Sequence, residues 1–225
     1  DVAGLHLAYL KGARERGCVT LTRKSVSSLS REGNVWKVET RADTFFAGVI
    51  INSAGAWADE VGAMAGADSI GLTPKKRTVL TVDAPIDLDC RKMPLIDFAS
   101  SGAYLKPDGG RLIASPGDEI PSEPHDSWPD DMDIAVFVDW IGQETTLEIT
   151  RIAHSWAGLR SFVSDEVPVV GFDAKVPGFF WLAGQGGYGI MMAPALANIT
   201  AELCLDRYPE NNTQLIKYLS PGRFS

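Results

Sequence analysis

Two segments of the chain predict the same unit, a buried strand that turns sharply into a helix. In the first, the apolar run Val49–Ile51 is followed by the small residues of Ser53–Ala58. In the second, Phe179–Ala183 is followed by a glycine-rich turn and a helical pattern that ends near Leu205. A continuous apolar strand requires a sheet that is covered on both faces, and α/β proteins bind ligands where such strands end. The two segments therefore predict an α/β fold.

The middle of the chain follows a different pattern. From Leu72 to about Ser115, strand-like runs are separated by Pro, Gly and Asp, which predicts an antiparallel sheet. Asp130–Ile141 has helical spacing, and Leu147–His154 alternates as a strand does. Small and apolar residues return from Trp156 onward. The simplest interpretation is a sheet domain inserted into an α/β domain.

The beginning of the chain contributes to the α/β part. Asp1 is a predicted N-cap, and the helical pattern that follows it ends at Gly17. Strands are predicted at Val19–Leu21, Ser25–Leu29, Val35–Thr40 and Phe45–Asn52. We therefore expect residues 1–71 and 156–225 to form two parts of one domain, with residues 72–155 inserted between them.

Composition narrows the possible functions. The formal net charge of −8 disfavours nucleic-acid binding, and the nearest approach to a basic patch is Lys75–Arg77. Three cysteines and three histidines are scattered without metal-ligand spacing, so no metal site is predicted. No apolar run reaches the length of a membrane span. Nothing in the sequence indicates an oligomeric state, and a reducing intracellular environment is the default expectation.

The glycines after Phe179–Ala183 form a candidate ligand site. Glycine lets the backbone approach a flat or anionic ligand closely, and the free N–H groups at a helix start favour negative charge. Glycines at strand-to-helix turns can equally be tight connections that bind no ligand. From spacing alone, a ligand site and a tight connection are about equally favoured.

Two arginines are candidate anion-binding residues. Arg160 lies close to Trp156 and Leu159, where an unpaired buried guanidinium would be costly, so we expect it to have an anionic partner. The residues alone favour an internal ion pair with an acid such as Asp165, and a bound anion is the alternative. Arg77 lies in a strand-like run, where its side chain could simply be solvated.

Tyr104 and two histidines complete the polar candidates. Tyr104 precedes a turn, where most tyrosines pack the ring and solvate the hydroxyl. His125 and His154 have no neighbouring nucleophile or ligand set in the sequence, so we interpret them as structural or surface residues. No catalytic side chain is therefore predicted.

Three motifs occur in the order Asn52–Trp57 (NSAGAW), Trp156–Arg160 (WAGLR) and Gly184–Ile190 (GQGGYGI). In this order they resemble the D-amino acid oxidase family of FAD enzymes, which includes glycine oxidases, sarcosine oxidases and bacterial D-amino acid dehydrogenases. Within the family the resemblance is strongest to the D-arginine dehydrogenases, and it extends over essentially the whole chain. It implies part of an FAD-binding Rossmann-like domain with an inserted, mainly antiparallel α+β substrate domain.

The resemblance also implies roles in substrate binding. Arg77 and Arg160 fall where D-arginine dehydrogenases hold the substrate α-carboxylate, and Tyr104 falls on a tyrosine that contacts the substrate. Two guanidinium forks fix a carboxylate in orientation as well as in position. A fixed orientation decides which hydrogen on Cα faces the flavin.

A second set of residues is implied to bind the cofactor. Val26 matches a position whose backbone contacts the adenine end of FAD, and Ala54 and Gly55 match positions that line the cofactor. The residues implied beside the flavin ring are Gly186, Gly187, Tyr188, Gly189, Ile190 and Met191. A helix start at this place would stabilise the negative charge of reduced flavin.

The implied reaction is the oxidative deamination of a D-amino acid, with basic ones such as D-arginine as candidates. Hydride passes from the substrate Cα to flavin N5, the imino acid hydrolyses to a 2-oxo acid and ammonia, and a quinone or oxygen accepts the electrons. The implied location is the cytoplasm, with a peripheral position at the inner membrane as the alternative.

The chain departs from the family pattern in two respects. The amino-terminal strand and its G-x-G-x-x-G turn have no match, so we expect a carboxyl-terminal part that by itself retains no FAD and is inactive. Met191 stands where D-arginine dehydrogenases have a glutamine, so a polar contact near the flavin is lost. The alternative functions are a glycine- or sarcosine-type oxidase of N-substituted amino acids and an inactive flavoprotein fragment that acts as a binding module.

Overall fold

The structure, a computed structural model, describes residues 1–85, 88–207 and 213–224. The chain forms two compact units. Leu72–Phe162 is continuous and is called the inserted unit below, and the chain on either side of it forms the discontinuous unit. The predicted α/β fold with an inserted antiparallel part is confirmed.

The discontinuous unit combines helices with two small sheets. Its elements are α1 (Val2–Glu15), β1 (Val26–Glu32), β2 (Val35–Thr40), β3 (Thr44–Ala47), β4 (Ile50–Asn52), α2 (Ala58–Met64), β11 (Val169–Phe172), β12 (Phe179–Ala183), α4 (Gly189–Cys204) and α5 (Thr213–Leu219). Strands β1, β2 and β3 form an antiparallel sheet in that order. In the second sheet, ordered β11, β12, β4, the pair β12 and β4 is parallel.

The inserted unit is an antiparallel sheet with one long helix. Its elements are β5 (Thr73–Asp83), β6 (Ile96–Phe98), β7 (Ala103–Asp108), β8 (Arg111–Ser115), β9 (Ile120–Pro121), α3 (Asp131–Glu144) and β10 (Ile152–Phe162). The strand order is β10, β5, β8, β7, β6, and the short β9 also pairs with β5. Asp130 caps α3 by accepting from the N–H groups of Met132 and Asp133, so the helix begins one residue after its predicted start.

The core of the inserted unit lies between α3 and one face of the sheet. Leu80 and Val82 of β5 pack there with Leu112 and Ala114 of β8, and all four are buried. From the helix side, α3 contributes the buried side chains of Ile134, Phe137 and Ile141. Because side chains alternate along a strand, the odd-numbered residues of β5 face the opposite side of the sheet. This division decides where the polar residues of β5 lie.

The parallel sheet of the discontinuous unit packs on both sides of β12. Phe180 contacts the buried residues of α4, and Trp181 points to the other side, where its ring meets Gly62 of α2. The Trp181 indole N–H donates to Asp173 at 3.0 Å, which fixes the ring. A β-carbon on Gly62 would lie 2.2 Å from the ring, so α2 approaches this closely only with glycine.

Several sequence predictions need correction. Val19–Leu21 is not a strand, and Phe45–Asn52 is two strands because β3 pairs with β2 while β4 pairs with β12. Ile51 in the predicted doubly covered run is 45% exposed. Only the end of Leu147–His154 is strand, since β10 begins at Ile152 and Leu147 packs on the core beside α3.

The predicted domain boundary after residue 155 falls inside β10. This strand continues to Phe162 and stays paired with β5 along its length, from Ile152 with Val82 to Phe162 with Thr73. The inserted unit therefore extends to Phe162, and Arg160 belongs to it. The sequence expectation had put Arg160 in the returning part of the other domain.

The contact of Gly62 with Trp181 gives a test of this packing. Gly62→Ala is expected to destabilise the protein by about 1–3 kcal/mol, because the added methyl group overlaps a buried, hydrogen-bonded ring. Gly142→Ala on α3 is the matched control, since its β-carbon meets no atom within 4 Å. The control should raise stability by up to about 1 kcal/mol. Denaturant unfolding measures both, and equal stabilities for the two variants would contradict the packing.

Candidate functional site

Arg77 and Arg160 lie on the same face of the inserted sheet. Arg77 is an odd-numbered residue of β5 and therefore points away from the core beside α3. In the pairing of β10 with β5, Gly158 is opposite Arg77 and Arg160 is opposite Lys75. The two arginines are therefore diagonal neighbours on adjacent strands, with no side chain at Gly158 between them.

Tyr104 shares this face. Ala114 is opposite Leu80 on the core side, so the next residue of β8, Ser115, is on the other side of the sheet. Tyr104 of β7 is opposite Ser115 and therefore faces the same way as Arg77. The strand register therefore places all three residues with a predicted role in substrate binding on the same face of the inserted sheet.

Arg77 is buried and paired, so the alternative that its side chain is simply solvated is wrong. Its side chain is 10% exposed, and its Nη2 donates to Oε1 of Glu119 at 2.9 Å. Burial lowers the pKa of the Arg77 guanidinium, and the positive charge of Arg160 lowers this pKa further. The Nε of Arg77 is buried without a hydrogen-bond partner. A buried donor without an acceptor is costly, so Arg77 can accept a further anionic ligand at little additional desolvation cost.

Arg160 does not form the ion pair that its neighbours predicted. Asp165 instead accepts two hydrogen bonds from Arg223, at 2.8 Å from Nε and 3.1 Å from Nη2. Across the described ranges of the chain, no carboxylate forms an ion pair with Arg160. Trp156 beside it is 38% exposed and not buried as expected. Arg160 is thus a guanidinium beside a second, buried guanidinium, an arrangement that favours a bound anion.

Two acidic residues near Arg77 were missed in the sequence. Asp118 accepts from the backbone N–H of Thr78 at 2.7 Å and from its hydroxyl at 2.9 Å. Glu119 bridges Arg77 and Lys75. Both acids directly follow Gly117 and the end of β8, and consecutive acids after a strand could have marked them as partners for the basic run of β5.

The second candidate region lies at the strand ends of the discontinuous unit. After β12, the chain turns at Gly184 and Gly186, whose φ angles of +67° and +53° are in the left-handed region. Helix α4 then begins at Gly189. Tyr188 occupies its N-cap position without a side-chain cap bond, so the helix start offers N–H groups with no acceptor within the helix.

The residues predicted to contact FAD are available at this helix start. Tyr188, Ile190 and Met191 are exposed, and Met191 is 73% exposed. Apolar side chains next to free N–H donors fit a ligand that combines a flat ring with polar edges, as a flavin does. The residues present therefore fit the flavin end of FAD.

The turn after β4 is held in shape by Asn52. This buried side chain donates to the carbonyl of Ala58 at 2.8 Å and accepts from the N–H of Ala54 at 3.3 Å. Gly55 follows with a φ of +58°. Val26, the remaining predicted cofactor residue, is half-buried at the start of β1 in the other sheet of the same unit. Sequence reasoning treated Asn52 as part of a motif and missed its structural role.

The remaining candidates have no catalytic geometry. His154 is exposed and stacks on Trp156 with 5.6 Å between ring centroids, and the exposed His125 contacts Ser122 and the Glu123 carbonyl. No group of three potential metal ligands occurs among the residues that the structure describes. In the same ranges, no helix combines the length and the hydropathy of a membrane span.

The sequence and the fold are similar to those of known flavin enzymes. The family model described as "FAD dependent oxidoreductase" (DAO) matches residues 1–203. The chain belongs to this family of FAD-dependent oxidoreductases. Its similarity to the family therefore extends through both units, and FAD is the cofactor of the family. The mixed fold, with its inserted antiparallel sheet, is the fold of FAD-dependent oxidases and dehydrogenases.

Individual relatives are similar over most of the chain. Hydrogen cyanide synthase subunit HcnC of Pseudomonas aeruginosa is 31% identical over 191 residues, which is 82% of this chain and 43% of that protein. Glycine oxidase of Geobacillus kaustophilus is 24% identical over 88% of this chain and 50% of its own length. The structure of L-proline dehydrogenase from P. horikoshii matches with a TM-score of 0.82 at 26% identity, over 97% of this chain and 58% of that one. The chain thus spans about half the length of these relatives.

The ion pair of Asp165 with Arg223 gives a prediction for pH dependence. The hydrogen bonds from Arg223 lower the pKa of the Asp165 carboxyl below its ordinary value of 3.8. A lowered folded-state pKa contributes stability at neutral pH that is lost as pH falls through that pKa. Arg223→Met should therefore lower stability at pH 7, and the part of the loss due to Asp165 should shrink as pH falls through the acid range in which this carboxyl becomes protonated. Because Asp165 is 41% exposed, this part should be about 0.5–1 kcal/mol.

The control is the same substitution in an Asp165→Asn background. Arg223 also donates to the carbonyls of Val167, Leu219 and Ser220, so a loss that does not depend on pH should remain in both backgrounds. Urea unfolding between pH 3 and pH 7 separates the two parts. A loss with the same pH dependence in both backgrounds would contradict the assignment of the pH effect to Asp165.

Proposed function

We propose that the complete protein oxidises the Cα–N bond of an amino acid whose carboxylate is held by Arg160 and Arg77. The observation that carries the proposal is the pair of guanidiniums on one sheet face. Arg160 has no carboxylate partner in the described part of the chain, and Arg77 keeps a buried donor without an acceptor. Guanidiniums bind carboxylates with charge-assisted hydrogen bonds that fix the plane of the ligand.

Tyr104 completes the proposed substrate site. Its ring lies on the same sheet face as the two arginines, so it can contact the substrate beyond the carboxylate. A carboxylate fixed by two cations leaves rotation about the Cα–carboxylate bond as the main freedom, and a neighbouring ring limits that rotation. The site thereby selects which substituent of Cα is presented for oxidation.

The discontinuous unit is proposed to hold FAD through backbone groups. Val26, Ala54 and Gly55 and the run Gly186–Met191 are the proposed contacts, and the free N–H groups at the start of α4 would stabilise negative charge on the ring. When bound, FAD supplies the two-electron hydride acceptor. The imino acid product would hydrolyse in water to a 2-oxo acid.

D-amino acids are the proposed substrates, because the motifs resemble the D-amino acid dehydrogenases, including those that act on D-arginine. We propose no preference for arginine itself, since the exposed Met191 stands in place of a glutamine. Oxidation of glycine or of N-substituted amino acids is the second candidate. It is favoured by the similarity to a glycine oxidase and to an L-proline dehydrogenase, whose named substrates have no D-configured side chain.

The proposed function also includes an electron acceptor and a location in the cell. We propose a quinone or oxygen as the acceptor and the cytoplasm or the inner-membrane surface as the location. The expectations that the 225-residue chain by itself retains no FAD and is inactive stay predictions, and the visible absorption of the purified chain tests the first of them.

Arg160→Met in the complete protein tests the proposed function. Loss of one charged partner of the substrate carboxylate typically costs about 2–5 kcal/mol, so kcat/KM should fall about 30-fold or more. The melting temperature should stay unchanged, because Arg160 forms no ion pair with a described carboxylate. Kinetics should be measured on D-amino acids, glycine, sarcosine and proline, since this panel separates the two candidate substrate classes.

Arg151→Met is the matched control for this test. Arg151 lies directly before β10 and its side chain is 69% exposed, so its loss removes an arginine outside the site. We expect near-normal kcat/KM for this control. If Arg160→Met instead lowers the melting temperature and leaves kcat/KM near normal, Arg160 is a structural residue and the proposal is wrong.

A further inference from the structure

The structure already contains a carboxylate at Arg77, that of Glu119. We propose that Glu119 is a specificity-determining residue that occupies one carboxylate position in the cation cluster and thereby restricts the site to ligands with a single carboxylate. The cluster is defined as Lys75, Arg77 and Arg160. This inference rests on the proposed function, because it assumes that the cluster binds the substrate carboxylate.

Glu119 uses both of its oxygens to pair with the cluster. Oε1 accepts from Nη2 of Arg77 at 2.9 Å, and Oε2 accepts from Nζ of Lys75 at 3.1 Å. Its side chain is 41% exposed, whereas the two cations that it bridges are largely buried. Glu119 therefore offsets the repulsion and desolvation of two cations that the sheet holds side by side.

The unpaired donors of the cluster match one ligand carboxylate. Glu119 accepts from Lys75 and from Nη2 of Arg77, whereas Nε of Arg77 has no hydrogen-bond partner and Arg160 forms no ion pair with a described carboxylate. Asp118 lies outside the cluster, because it accepts from the hydroxyl of an even-numbered residue of β5, on the face toward α3. One carboxylate can satisfy the donors that remain, and a second carboxylate would meet Glu119.

The backbone around Glu119 holds its side chain in the cluster. On one side, Asp118 is anchored to the N–H and hydroxyl of Thr78. On the other side, β9 pairs with β5, with Ile120 opposite Lys76 and Pro121 opposite Lys75. A residue between two such anchors does not leave with a moving loop. The backbone of Glu119 is therefore fixed beside the cluster, and its two hydrogen bonds to Lys75 and Arg77 hold the carboxylate there.

The test compares two inhibitors that differ by one carboxylate, acetate and malonate. Their affinities for the complete protein are measured by calorimetry, so the result does not depend on turnover. Glu119→Gln retains the size of the side chain but adds one positive charge to the site. We expect malonate to bind about tenfold more tightly relative to acetate in this variant than in the original protein.

Two further variants sharpen the test. Glu123→Gln removes an exposed carboxylate four positions away with the same change in net charge, and it should leave the preference unchanged. Lys75→Gln removes a cation from the cluster, and it should shift the preference in the opposite direction, toward acetate. Because this shift has the opposite sign, it tests the dependence of the preference on the charge of the cluster even if Glu119→Gln folds poorly.

The outcomes separate this inference from the proposed function. If both inhibitors bind and the preference is the same in Glu119→Gln and in the original protein, Glu119 does not set specificity. If Glu119→Gln tightens acetate and malonate by the same factor, Glu119 is a displaceable competitor and the inference is wrong. If neither inhibitor binds any variant, the carboxylate site itself is absent, which overturns the proposed function as well.

Discussion

The antiparallel pairing of β5 with β10 is the interaction on which the candidate site depends. It extends from Thr73 with Phe162 to Val82 with Ile152. A shift of this register by one residue would turn every side chain of β10 to the opposite face of the sheet. Arg160 would then point toward α3 and away from Arg77. The backbone ladder thus decides that the two arginine side chains lie on the same face of the sheet.

The basic run of β5 shows how the same strand serves two purposes. Lys76 faces α3 and pairs with Asp133, which lies 57 residues further along the chain. Arg77 faces the other side and pairs with Glu119, 42 residues away. The three consecutive cations look like a surface patch in the sequence, but the sheet separates them onto two faces and gives them different partners. These buried and half-buried positions are possible because distant segments of the chain supply the partner carboxylates.

Sequence patterns correctly predicted the strands and helices whose bounds depend mainly on neighbouring residues. The bounds of β2 and β12 agree with the prediction, and α4 ends within one residue of its predicted end. The division of Phe45–Asn52 into two strands could not be predicted, because it depends on which distant strand each half pairs with. The partner of Asp165 could not be predicted for the same reason. Arg160 is near it in sequence, but the distant Arg223 forms the ion pair. Glu119 was missed because the consecutive acids after β8 do not show by themselves which distant strand they will face.

The inserted unit begins and ends at one place. Thr73, close to its first residue, is opposite its last residue, Phe162, across adjacent strands. Chain entry and exit are thus separated by a single interstrand spacing, about 5 Å. For the discontinuous unit, the insertion is topologically equivalent to a short loop, so the entropy of connecting its two parts is small whatever the insertion's length. Such an arrangement permits the insertion to be lengthened, shortened or exchanged during evolution without a change in the connectivity of the unit that carries it.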